Sequence, residues 1–87
     1  MARFRIAEGV LRATMQDQEV LLNPDTGQYH LLNPTGKFVV EEWERGRDTA
    51  QVVQQLVADS AEGDAVQADV DRFVEALTER GLIQPSA

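Results

Sequence analysis

His30 is the only imidazole in the chain, and there is no cysteine. One histidine could act as base to a serine or threonine, but it sits inside an apolar alternating run, Gln28 to Leu32, where a structural or surface role is the ordinary one. It makes neither a histidine pair nor a histidine-rich metal site. Lack of cysteine removes disulfides, iron–sulfur clusters, thiolate nucleophiles and cysteine zinc sites together. Carboxylates are plentiful, as in Asp69 with Asp71, or Glu41, Glu42 and Glu44. Residues two apart on a helix do not face one another, so these make poor acid–base dyads. No glycine-rich phosphate loop is present. The expectation is a chain with no catalytic residue, no metal and no cofactor.

The charge balance narrows the partners. Fifteen acids against eight bases give a net charge of −7 over 87 residues, which repels a phosphate backbone. Acidity grows along the chain: residues 1–23 are neutral overall, 24–61 carry −3, and 62–87 carry −4. Such a run is ordinarily a solvated helix face. The amino-terminal arginines are followed by no apolar stretch of signal-peptide length, and no segment approaches a membrane span. A cytoplasmic protein of one domain, with no nucleic-acid or membrane partner, is expected. A chain of this length has a thin core, and at 43% hydrophobic residues it is still composed to fold.

The elements that would position any site fall into two periods. Strands are expected at about 10–15, 19–23 and 28–32. Gln16-Asp17-Gln18 is a polar break of hairpin length, and Asn23-Pro24-Asp25-Thr26-Gly27 is a second turn in which proline presets φ and glycine takes the left-handed position. On the third strand Tyr29 and Leu31 share one face, and His30 and Leu32 the other. From Asn33 the pattern turns helical. Asn33 caps and Pro34 opens a helix over about 34–45, which Gly46 ends. A second helix, about 49–60, starts with Asp48 and Gln51 spaced as a capping box. Ser60-Ala61-Glu62-Gly63 reads as a loop, and Asp64 with Gln67 as the cap of a third helix over about 65–80. Val66, Val70, Phe73, Val74 and Leu77 give that helix the clearest apolar stripe in the chain. Leu82-Ile83 return to the core ahead of a frayed Gln84-Pro85-Ser86-Ala87 tail. The fold class is therefore α+β, a three-stranded antiparallel sheet followed by three helices, arranged like a winged helix-turn-helix.

That architecture is shared with DNA readers, yet the third helix exposes acids where a recognition helix needs Arg, Lys, Asn or Gln. An edge strand can instead accept an extended peptide as a further strand. If the third helix packs beside the third strand, Tyr29 or Leu31 would floor a groove and Val70, Phe73 and Leu77 would wall it. Placement of Tyr29 and Phe73 on opposite sides would exclude that groove. The acidic rim favours a peptide carrying Lys or Arg.

The run from Val20 to Gly36, through Asn23-Pro24-Asp25-Thr26-Gly27 and Leu32-Asn33-Pro34-Thr35-Gly36, resembles the PqqD-like family of precursor-peptide recognition elements. Val66 to Leu77 followed by Arg80-Gly81-Leu82-Ile83 is similar to that family's last helix. The likeness covers roughly residues 8–83 and is greatest to the stand-alone B1 proteins of lasso-peptide biosynthesis. It implies a non-enzymatic protein that binds the leader of a ribosomally made precursor. The leader would add to the third strand, lie against the third helix, and offer a Tyr, a Pro and a Leu to apolar pockets. A separate B2-type leader peptidase and a lasso cyclase would act afterwards. By position, the resemblance assigns strand contacts to Gln28, Tyr29, His30, Leu31 and Leu32, and helix contacts to Asp69, Val70, Phe73 and Leu77. Lys37 departs from the small or apolar residue that the family pattern favours. Two other readings stand beside this one: a peptide chaperone for a quinone-cofactor precursor working with a radical SAM enzyme, and a winged-helix DNA-binding regulator.

Overall fold

The computed structural model describes residues 3–58 and 63–86. In chain order its elements are β1 (Arg3–Ile6), β2 (Leu11–Met15), β3 (Gln18–Leu22), β4 (Tyr29–Leu32), α1 (Pro34–Glu44), α2 (Thr49–Ala58), α3 (Gly63–Glu79) and β5 (Ile83–Ser86). The class is α+β: β2, β3 and β4 form an antiparallel sheet in that order, and the three helices follow it. The strand expected third is β4.

Two turns set the register of this sheet. Gln16 and Asp17 both take positive φ, 49° and 69°, and Met15 pairs directly with Gln18. That is the two-residue hairpin geometry whose twist suits the flanking strands, so Gln18 belongs to β3 and not to the expected three-residue break. The β3–β4 turn is held by Asn23, whose Oδ1 accepts from Asp25 N at 3.0 Å and whose carbonyl accepts from Gly27 N at 2.8 Å. Gly27 sits at φ 74°, where a side chain would be strained. Arg12 of β2 then ties the sheet to α1, contacting Glu19 at 3.2 Å and Glu44 at 2.5 Å.

The helix caps form locally. Asn33 Oδ1 accepts from Gly36 N at 2.7 Å with Pro34 in the first turn. Asp48 and Gln51 bond reciprocally, at 2.8 and 3.0 Å, as a capping box does. Lys37 points to solvent beside Glu41, so the apolar face of α1 is undisturbed. At α3 the expected cap is displaced: the helix already includes Gly63, Asp64 lies inside its first turn, and Gln67 bonds to Asp71 instead. The rest of the expected loop, residues 60–62, and the end of the second helix beyond Ala58 lie outside the described residues.

Leu21, Val39, Val40, Trp43, Val52, Val70, Leu77 and Leu82 build the core between sheet and helices. Trp43 stays satisfied there because its indole N–H donates to Thr49 Oγ1 at 3.2 Å. The tail expected to fray does not. Residues 83–86 pair with β1 as a second, two-stranded sheet, from Ile6 with Ile83 to Arg3 with Ser86, while Ala87 lies outside the described residues. Pro85 is tolerated because each strand of a two-stranded sheet is an edge. The pairing lays Phe4 on Trp43, ring centroids 5.3 Å apart.

Candidate functional site

The backbone of β4 defines the site. Asn23 N donates to the Gln28 carbonyl at 2.8 Å, so hydrogen-bonded pairs alternate from there along the hairpin. Leu21–His30 and Glu19–Leu32 exchange bonds with β3. Tyr29 and Leu31 consequently aim their N–H and C=O groups at the opposite edge, where no strand among the described residues pairs with them. One of those four groups has a partner: the Tyr29 carbonyl accepts from Arg80 Nη1 at 3.3 Å.

Side-chain parity overturns the expected floor. His30 meets Phe73 edge to face, centroids 5.7 Å apart, so His30 and Leu32 face the helices. Tyr29 and Leu31 therefore project from the other side of the sheet, 59% and 51% exposed. Tyr29 and Phe73 stand on opposite faces, and a groove floored by Tyr29 or Leu31 is not what the chain forms. What it forms is a cleft of about 640 Å³ whose lining includes His30, Gly36, Val66, Val70 and Phe73. A second, shallower cleft of about 520 Å³ runs past Gln28, Tyr29, Leu31 and Arg80. His30 lines both, so the two meet at β4.

Phe73 is the pivot of the wall. Its ring stacks on Trp43 at 6.2 Å, and a Cβ placed on Gly36 would come within 2.9 Å of its Cε1. Only glycine lets the start of α1 approach that closely. Val70 forms the base of the cleft and Asp69 its rim. Leu32 and Leu77 lie in the core, Leu77 with no exposed surface, and support the cleft from beneath. Three features went unread in the sequence. Gly36 was visible as a glycine inside a helix, the usual mark of close approach. Val66, read as a helix apolar position, also lines the cleft, as does Leu56 of α2. Arg80 carried no sequence signal beyond its place before Gly81.

Electrostatics differ along the site. Asp69 is paired with Arg72 on the solvent side of α3. His30 Nδ1 lies 2.6 Å from Arg80 Nη1, and a guanidinium can only donate, so the ring is neutral with its proton on Nε2. Burial, and then the nearby Arg80 charge, hold its pKa below the ordinary 6.5. Neither a carboxylate nor a hydroxyl bonds to that ring among the described residues. The described residues also hold no cluster of three His, Asp or Glu able to bind a metal, and none of their helices is long and apolar enough to cross a membrane. An open strand edge beside an apolar cleft is built to bind an extended chain, with backbone groups for affinity and the cleft for selectivity.

Residues 18–83 match the family model for coenzyme PQQ synthesis protein D (PqqD). No curated protein sequence matches the chain. Among solved structures, it is similar to TbiB1 in complex with the TbiA(beta) leader peptide, at 27% identity and a TM-score of 0.77, over 95% of this chain and 98% of that one. It is also similar to a lasso peptide synthetase B1 complexed with the leader peptide, at 29% identity and a TM-score of 0.82, over 97% of this chain and all of that one (100%).

Proposed function

Because this chain belongs to the PqqD family, we propose that it binds the leader segment of a ribosomally made precursor peptide, of the lasso class, and has no catalytic role itself. The observation that carries this reading is the open edge of β4, with Tyr29 and Leu31 backbone groups unpaired by any described strand, running beside an apolar cleft under Phe73. The likeness to two B1-type proteins held in complexes with leader peptides supports the same ligand.

In this reading the leader adds to β4 as a further strand. Gln28, Tyr29, His30 and Leu31 meet it along the strand, the odd positions through backbone groups and His30 through its ring. Asp69, Val70 and Phe73 meet it from α3, while Leu32 and Leu77 hold those contacts in place from the core. Apolar leader side chains enter the cleft. Bound leader is then presented to a separate B2-type peptidase and onward to a lasso cyclase.

Fluorescence anisotropy tests this with the labelled leader of the short precursor expected to be encoded beside this chain, and a mixed-sequence DNA duplex as comparison. Saturable leader binding, lost when an aromatic or proline of the leader is replaced, is the expected result. Binding to the duplex alone would overturn the proposal and make the fold that of a regulator.

A further inference from the structure

The strand edge is not bare. Arg80, the residue after α3, places its guanidinium on the Tyr29 carbonyl at 3.3 Å and on His30 Nδ1 at 2.6 Å. Both partners are neutral. Elsewhere Arg12, Lys37, Arg45, Arg47 and Arg72 each lie within 4.0 Å of a carboxylate. In a chain of net charge −7, Arg80 has no carboxylate partner among the described residues, although α3 exposes Asp69, Asp71, Glu75 and Glu79.

An incoming strand needs the Tyr29 carbonyl as an acceptor, and Arg80 holds it. Displacing a guanidinium costs least when it gains a better acceptor, and a carboxylate is a stronger one than a carbonyl or an imidazole. From these contacts we infer that Arg80 is a specificity-determining residue, reading one Asp or Glu in the bound peptide at the position opposite the start of β4. The inference rests on strand addition as proposed above and adds the chemistry of one peptide position to it.

The placement has a second effect. Backbone pairing along an edge is blind to sequence and can slip by two residues without turning any side chain to the other face. Elsewhere along α3 an acid meets Asp69, Asp71, Glu75 and Glu79, with Arg72 already paired to Asp69; opposite Arg80 it meets a cation that holds no carboxylate among the described residues. One acid at one position therefore fixes the register, and acids at the other positions are disfavoured. The acidic rim favours basic peptide residues only away from this end.

The test is a single-Glu walk. The labelled leader is made with one Glu, or one Gln, at each successive position of the segment that pairs with β4, any native acids there being replaced by their amides. Each peptide is titrated against the wild-type chain, Arg80→Gln and Arg80→Lys. The expected result is tighter binding of Glu over Gln at one position, by about fivefold, as for a good partly exposed ion pair. That preference vanishes in Arg80→Gln and survives in part in Arg80→Lys; the Glu-over-Gln ratio is read within each protein, so any change in overall affinity on removing the guanidinium cancels from it. Saturable binding with no position preferring Glu, or a preference that persists in Arg80→Gln, overturns the role of Arg80 and leaves leader binding intact. Failure of every leader to bind the wild-type chain refutes leader binding itself and the role of Arg80 with it.

Discussion

Gly36→Ala sets two opposing effects against each other at one atom. The added Cβ lies 2.9 Å from Phe73 Cε1, 3.2 Å from Cζ, and 3.2 Å from the Asn33 Oδ1 that caps the helix. Ordinary contact begins near 3.4 Å, so the ring and the capping side chain must both yield. Overpacking of this kind costs about 1–3 kcal/mol. Replacing glycine by alanine within a helix returns up to about 1 kcal/mol, and less in the first turn. The strain wins, because the ring cannot retreat freely: Trp43 stacks against it and His30 meets its edge. A net destabilisation of about 1 kcal/mol is expected in urea unfolding. The ring's remaining escape is into the cleft, so leader affinity should fall about tenfold, more than stability accounts for. Shortening the wall with Phe73→Leu in the same chain should recover part of the lost stability, as coupled neighbours do. A Gly36→Ala protein more stable than wild type, with leader affinity unchanged, would refute both the tightness of this contact and the use of the cleft.

Phe73→Ala should cost about 2–3 kcal/mol in urea unfolding, less than the 3–5 of an enclosed ring, while anisotropy shows leader binding lost under conditions where the variant stays folded. Leu31→Pro removes an edge N–H aimed away from β3; proline is tolerated at an edge, so circular dichroism should show a folded protein whose leader binding is nonetheless abolished. Thr49→Val leaves the buried Trp43 N–H without its acceptor and should lower stability by about 1–3 kcal/mol. His30 has a native pKa below its ordinary 6.5, so between these values the unfolded chain binds more protons. Its contribution to stability is complete above pH 6.5 and is lost as pH falls toward the native value. His30→Gln should flatten that part of the urea-midpoint profile, and an unchanged slope would show that the ring is not held neutral.

Local chemistry was readable in advance. The Asn33-Pro34 start, the Asp48–Gln51 box and the apolar stripe of α3 depend on neighbours a few residues away, and the structure forms each of them. What could not be read depended on distant partners. Arg3–Ile6 is short and Ile83–Ser86 contains Pro85, so neither reads as a strand until each is laid against the other. The face of β4 was misjudged for a subtler reason. Alternation gives two sets, Tyr29 with Leu31 and His30 with Leu32, but only the hairpin register and the packing of Phe73 decide which set turns inward. The apolar set, Tyr29 and Leu31, is the one turned outward, against the usual hydrophobic rule. Arg80 was illegible because its partners, a carbonyl and an imidazole some fifty residues earlier, come together only in the folded chain.

The register of β1 with β5 sets Arg3 against Ser86, so the first and last described residues meet at one corner of the fold. Bridged at that corner, the described fold would close into a ring that could be opened elsewhere, the exposed Gln16-Asp17 turn being the natural cut. That turn joins β2 to β3, on the side of the sheet order away from β4. A circularly permuted protein would then keep the same edge, the same cleft and the same Arg80, so the recognition surface belongs to the three-dimensional arrangement and not to the order in which its parts are threaded.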